Sequence, residues 1–239
     1  MYISGTRDGS MPAVVFEAGL GDSSASWRKV ADSIAKTTQV VRYDRAGLGC
    51  SQANITSRTA TEIASELHDA LSNAQVAPPY VLVSHSAGAW YVLVFAAEYP
   101  AEVKGLVLVD PTPPRFFSEV SSLQNEQERS EFASSMAKYE AAALPGRRAE
   151  WENRDKAAAQ ADKAKLTKQM PLIIITAAAL QPGRNPAILK YWRDQHERMA
   201  RTTNRGRVVV AATGHYVQLE QPQIVIREIR QILETLSGA

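Results

Sequence analysis

Cysteine is almost missing from this sequence: Cys50 stands alone among 239 residues, so neither an intrachain disulfide framework nor a multi-cysteine metal site can be built. Long apolar runs are missing as well, and none approaches the roughly 20 residues that a membrane-spanning helix needs. Met1 leads into Tyr-Ile-Ser-Gly-Thr without the basic and apolar stretches of a secretory leader. A soluble, cytoplasmic protein is expected. Nor is there an excess of one charge, since 27 Lys and Arg stand against 25 Asp and Glu for a formal net charge of +2. Without a basic field, nucleic acid is not an expected partner.

What is present fits an ordinary folded domain. Hydrophobic residues make up 45% and charged residues 22%, and the length suits one large α/β domain. Six short apolar runs read as buried strands: Ala13 to Glu17, Gln39 to Tyr43, Tyr80 to Val83, Gly105 to Val109, Leu172 to Thr176 and Arg207 to Ala211. Their apolar character is continuous rather than alternating, which implies a sheet covered on both faces.

Helical patterns lie between the strands. Thr59 and Glu62 match a capping box ahead of Ile63, Leu67 and Leu71 at helical spacing. At the other end, Pro222 opens a helix with Val225, Ile229, Ile232 and Leu236 on one stripe. Such alternation predicts an α/β fold with a mainly parallel sheet, its functional groups on loops after the carboxyl ends of strands. From Pro111 to Gln169 no strand pattern appears, only helical sequence broken by Pro113, Pro114 and Pro145-Gly146. This interval reads as a helical lid, residues 111–169, inserted into a core of residues 1–110 and 170–239. Within it, Ala157 to Ala164 has the composition of a solvated helix.

The run Tyr80-Val-Leu-Val-Ser-His-Ser-Ala-Gly puts Ser86 between a buried strand and an apolar helix. A sharp turn there would expose the serine hydroxyl and aim the N-terminal end of the helix at it, a nucleophile elbow. Gly88 supplies the small neighbour on one side, while Ser84 stands where the G-x-S-x-G pattern has its first glycine. Of four histidines, His215 alone hangs from a loop after the last strand, following Gly214, where a general base could reach Ser86. His68, His85 and His196 read as structural.

Together with this elbow, Glu17-Ala-Gly-Leu-Gly-Asp-Ser-Ser-Ala-Ser-Trp27 and Tyr43-Asp-Arg-Ala-Gly-Leu-Gly-Cys-Ser51 resemble the oxyanion loop and the strand-four turn of the α/β-hydrolase fold superfamily. The resemblance covers residues 1 to 110 and 170 to 239, with Ala18 where the family usually has His. It implies a Ser-His-Asp catalytic triad of Ser86, His215 and an acid, with backbone N–H groups of Leu20 and Ala87 as the oxyanion hole. The common acid position after the penultimate strand reads Thr176-Ala-Ala-Ala and holds no carboxylate. Asp110 ends the strand Gly105 to Val109, a place some members use, and is the expected acid. Asp194 and Glu197 remain alternatives, Asp44 looks structural, and Asp110 could instead only begin a turn with Pro111.

On this reading the chain is a serine hydrolase of small ester-like substrates that needs no cofactor or metal. Amides, lactones, thioesters and activated carbon-carbon bonds suit the same apparatus, and a catalytically silent ligand-binding relative is the alternative from another class. Phe116, Phe117, Phe132, Tyr139 and Trp151 are candidates to line an acyl pocket under the lid.

Overall fold

The computed structural model describes residues 1–7, 11–52, 57–141, 144–178 and 185–237. Its sheet has seven strands: β1 (Tyr2–Ser4), β2 (Ala13–Glu17), β3 (Val40–Arg42), β4 (Tyr80–His85), β5 (Val103–Val109), β6 (Pro171–Ala177) and β7 (Arg205–Ala211). They lie in the order β1-β3-β2-β4-β5-β6-β7. β1 pairs antiparallel with β3, and every other pairing is parallel. The six apolar runs are thus six of the strands; β1, short and exposed, carries no such signal.

Ten α-helices are described: α1 (Arg28–Ile34), α2 (Ala60–Asn73), α3 (Gly88–Glu98), α4 (Phe116–Glu119), α5 (Glu126–Ala141), α6 (Pro145–Glu152), α7 (Arg154–Lys163), α8 (Pro186–Ala200), α9 (Val217–Glu220) and α10 (Pro222–Ser237). Successive strand residues point to opposite faces, and both faces are covered. Val14, Phe16, Val81, Val83, Val107 and Val109 meet Val30 and Ile34 of α1 and Val225 and Ile229 of α10. Val15, Leu82, Leu106 and Leu108 meet Ile63 and Leu67 of α2 and Trp90 and Phe95 of α3. Burial of each such Val or Leu side chain is worth about 1.5–3 kcal/mol, which explains the continuous apolar runs. At the edge, however, β7 is only partly covered and Val210 is 66% exposed.

The α2 capping box forms as expected: Thr59 Oγ1 accepts from the Glu62 backbone N–H, while the Glu62 carboxylate accepts from the Thr59 N–H at 2.9 Å. The stretch Ala157 to Ala164 differs from its expectation. In α7, Ala157, Ala158 and Ala161 are buried against α2 and α3, so this helix belongs to the layer that covers the sheet. The composition that suits solvent also suits close helix packing, because alanines let two helix axes approach. α5, by contrast, is exposed along most of its length from 126 to 137. Among the described residues no helix is long and apolar enough to cross a membrane.

Candidate active site

β4 runs into α3 through Ser86, whose φ of +53° lies in the left-handed region. A residue with a Cβ is strained there, and the turn holds because three backbone bonds fix it. Ser86 N–H donates to the Val109 carbonyl at 3.0 Å, and its own carbonyl accepts from Ala89 and Thr112 N–H at 3.1 Å each. The tightness of the elbow also depends on Gly88: a Cβ there would lie 2.4 Å from the Ala18 carbonyl oxygen. Ser84, in the position of the first motif glycine, is fully buried within β4 and faces Glu17 and Leu108 in the register. The sheet accommodates its small side chain.

The Ser86 hydroxyl lies 2.9 Å from His215 Nε2, and His215 Nδ1 lies 2.6 Å from Asp110 Oδ2. Ser86, Asp110 and His215 are therefore brought together in one hydrogen-bonded relay across the carboxyl ends of β4, β5 and β7. Asp110 also has a positive φ of +42°, which turns its side chain back over the sheet end. Its other oxygen, Oδ1, accepts from the Ala177 N–H and from the Trp192 indole N–H, both at 3.0 Å. Burial alone would raise the Asp110 pKa, but the hydrogen bond from His215 and the remaining donors hold it below the ordinary carboxylate value. An ionised Asp110 fixes the His215 proton on Nδ1 and leaves Nε2 free to accept from serine.

His85 steadies the relay from beneath. It is buried, its Nε2–H donates to the His215 carbonyl at 3.0 Å, and its ring packs 4.5 Å from that of His215. Burial, reinforced by the nearby His215, pushes its pKa down to about 3, so His85 is a neutral donor. The other titratable candidates lie elsewhere. Asp194 pairs with Lys190 at 2.6 Å and Glu197 with Arg201 at 3.7 Å, both on the exposed side of α8. Asp44 accepts from the Ser24 and Cys50 N–H groups and organises the turn after β3. His196 bonds the Pro111 carbonyl, and His68 stacks on Tyr99.

The loop from Ala18 to Gly21 passes directly beside the serine; a Cβ on Gly19 would lie 3.5 Å from Ser86 Cβ. Leu20 and Ala87 thus lie on the two backbone segments next to Ser86. The loop is gripped from behind by Arg45, which is buried and donates to the Ala18 and Gly19 carbonyls at 2.9 and 2.7 Å. Glu150 of α6 binds Arg45 in bidentate fashion at 2.6 and 2.9 Å and accepts from the Gly21 N–H at 2.8 Å. Glu17 completes the cluster with bonds to Arg45 and Tyr43. Burial holds the Glu17 pKa above the ordinary carboxylate value, against the opposing pull of Arg45 and Tyr43. Arg147 adds a bond to the Gly21 carbonyl at 3.0 Å. Arg45 lies in the quoted turn motif, yet its role there is not readable from it, and Glu150 and Trp192 carry no sequence signal.

A cavity of about 480 Å³ opens onto His215, walled by Phe116, Phe132, Ile188, Leu189 and Trp192. A larger one of about 740 Å³ lies between α4, α5, α6 and α7, lined by Phe117, Phe132 and Trp151 among others, and touches neither Ser86 nor His215. The smaller cavity reaches the relay at His215, while Ser86 does not line it. Of the expected lining residues, Phe116 and Phe132 face it, Phe117 and Trp151 do not, and the Tyr139 side chain lies outside the described residues. Among the described residues, no group of three or more His, Cys, Asp or Glu is arranged to hold a metal ion.

This combination of fold and elbow is that of an α/β hydrolase, and the model of the alpha/beta hydrolase family matches residues 14–228: the chain belongs to that family. An uncharacterized protein of Bacillus subtilis (strain 168), YqjL, is 29% identical over 214 residues, which is 89% of this chain and 79% of YqjL. A thermophilic esterase from Thermogutta terrifontis superposes with a TM-score of 0.67 at 20% identity, covering 99% of this chain and 93% of the esterase. The enol-lactonase from Burkholderia xenovorans LB400 gives a TM-score of 0.63 at 17% identity over 98% and 95% of the two chains. At such identities the two structures speak for the fold alone.

Proposed function

We propose that this chain is a serine hydrolase that cleaves small carboxylic esters or related acyl compounds through an acyl-enzyme. The observation that carries this is the continuous relay from Ser86 Oγ to His215 Nε2 at 2.9 Å and from His215 Nδ1 to Asp110 Oδ2 at 2.6 Å. Asp110 orients the imidazole, and His215 takes the hydroxyl proton as Ser86 attacks the carbonyl carbon. The N–H groups of Leu20 and Ala87 receive the charge that develops on the carbonyl oxygen, a contribution of about 3–4 kcal/mol per donor. His215 then protonates the leaving group, and water repeats the sequence to release the acid.

Of the helical insertion 111–169, the stretch 111–152 acts as a lid over the cavity at His215, with α5 as its outer wall, while α7 packs on α2 and α3. Phe116, Phe132, Leu189 and Trp192 give the cavity apolar surface suited to an acyl or alkyl group, while Glu128, Glu131 and Asn185 add polar groups to its wall. A silent binding protein has no use for a strained serine aligned with a base and a buried acid, so the catalytic reading is preferred.

Two measurements test it. Short-chain 4-nitrophenyl esters should be turned over by the wild type and not by Ser86→Ala or His215→Ala. A fluorophosphonate probe should label Ser86. An inert wild type that also resists the probe would refute the proposal.

A further inference from the structure

Resting on the assignment of Ser86 as nucleophile, we propose that Thr112 is a further catalytic residue, whose hydroxyl donates to the Ser86 oxygen and stabilises it as the leaving group when the acyl-enzyme is hydrolysed. Thr112 Oγ1 lies 3.0 Å from Ser86 Oγ, as close as His215 Nε2 is on the other side. The residue is buried, at 6% exposure, and its main chain is clamped at both ends. Its N–H donates to the Ser86 carbonyl at 3.1 Å and its carbonyl accepts from the Trp90 indole N–H at 2.8 Å. Two residues after Asp110, the loop therefore delivers a second group to the reacting atoms.

The direction of this bond follows from the rest of the relay. Asp110 is ionised, so His215 carries its proton on Nδ1 and its Nε2 accepts from the Ser86 O–H. The one hydrogen left to lie between the two hydroxyls is that of Thr112. Thr112 is the donor and Ser86 Oγ the acceptor.

That polarity matters differently in the two half-reactions. During acylation Ser86 Oγ loses its proton to His215 and forms the bond to the acyl carbon, and a donor at Oγ eases proton loss while tempering nucleophilicity. The acyl-enzyme oxygen bears no hydrogen, yet it still accepts from Thr112. In deacylation His215 Nε2 takes a proton from water as the water oxygen bonds to the acyl carbon. The intermediate collapses as the bond between carbon and Oγ breaks, the electron pair returns to Oγ, and His215 hands it the proton. Negative charge builds on Oγ in that step, where the Thr112 hydroxyl is already in place to receive it without reorganisation. Thr112 thus favours deacylation more than acylation.

Stopped-flow hydrolysis of 4-nitrophenyl acetate by the full chain separates the half-reactions. Thr112→Val, which keeps the shape and removes the hydroxyl, should slow deacylation by about tenfold or more, with a nitrophenolate burst approaching one equivalent. Thr112→Ser should restore most of the deacylation rate. If Thr112→Val does not fold, as judged by its thermal melt, Thr112→Ala against Thr112→Ser makes the same comparison. Deacylation at the wild-type rate in Thr112→Val, or equal loss in the Ser variant, overturns the proposal. Turnover retained in Ser86→Ala would instead defeat the nucleophile assignment and this inference with it.

Discussion

Glu150 is the residue whose loss should cost the most for its distance from the reacting serine. Its carboxylate is fully buried, holds Arg45 through two bonds of 2.6 and 2.9 Å, and accepts from the Gly21 N–H at 2.8 Å. Glu150→Ala strands a buried guanidinium that, among the described residues, keeps only Glu17 as carboxylate partner, and leaves Gly21 N–H without this acceptor. Breaking a buried pair from one side costs about 3–5 kcal/mol, and an orphaned N–H about 1–3 kcal/mol. The two overlap, so a total of about 3–5 kcal/mol is expected. For a chain of this size that is roughly 6–20 °C in Tm, measured by circular dichroism or urea titration. Activity should fall as well, because Arg45 and Glu150 between them hold Ala18, Gly19 and Gly21 around Leu20, the proposed oxyanion donor; displacement of one such donor lowers kcat about 10²- to 10³-fold. The triple variant Glu17→Gln/Arg45→Met/Glu150→Leu separates the two effects. Neutral replacement of the whole buried cluster, Glu17 included because it would otherwise lose its cationic partner, should recover much of the stability but not kcat, since the carbonyls of Ala18 and Gly19 stay unanchored. A Glu150→Ala protein within about 1 kcal/mol of wild type and with unchanged kcat would refute the idea that this cluster sets the loop.

Four further outcomes follow from the geometry. Asp110→Asn should lower kcat by about 10⁴, and equal loss in Asp194→Asn with an active Asp110→Asn would reverse the assignment of the acid. Trp192→Phe keeps a ring but removes the donor to Asp110 Oδ1, and steady-state kinetics should show kcat/KM down about tenfold, the worth of a hydrogen bond to a charged group. Gly88→Ala drives a Cβ to 2.4 Å from the Ala18 carbonyl, so a melt should show about 1–3 kcal/mol of destabilisation together with lost ester turnover. His85 has its folded pKa pushed below the ordinary histidine value, to about 3. The unfolded chain therefore takes up the proton first, and stability drains away as pH falls from about 6.5 towards 3, by roughly 1.4 kcal/mol per unit. The depressed Asp110 adds a loss lower still, as pH drops through its folded value. Burial-raised Glu17 and Asp22 act with the opposite sign, so the decisive reading is a smaller slope in His85→Asn than in wild type between pH 7 and pH 4.

The sheet was legible because its central strands are buried on two faces, which demands runs such as Val-Leu-Val and Leu-Ile-Ile-Ile whatever the loops do. β1 could not be settled from the stretch Met1 to Thr6, because an exposed, three-residue edge strand places no such demand on its side chains. That Ser86 and His215 would meet could be read ahead because an elbow and a post-strand loop are local features, and the two side chains do lie 2.9 Å apart. Arg45, Glu150 and Trp192 were not legible, since each matters through partners between 26 and 129 positions away. Ala157, Ala158 and Ala161 misled for a related reason: alanine favours a helix equally in water and against another helix, and only the neighbouring layers decide which.

The absence of an acid after β6, the least regular feature of the sequence, has a geometric answer in the strand order. β5 lies between β4, which carries the serine, and β6, and His215 after β7 must reach back across the end of β6 to meet Ser86. An acid on β5 sits on that path. With its positive φ, Asp110 turns one oxygen to His215 and the other to β6, where the Ala177 N–H meets it. The end of β6 thus contributes a donor to the carboxylate rather than the carboxylate itself, and the Trp192 indole N–H from α8 supplies the second. An ionised carboxylate in a buried place is thus held by donors from two neighbouring elements.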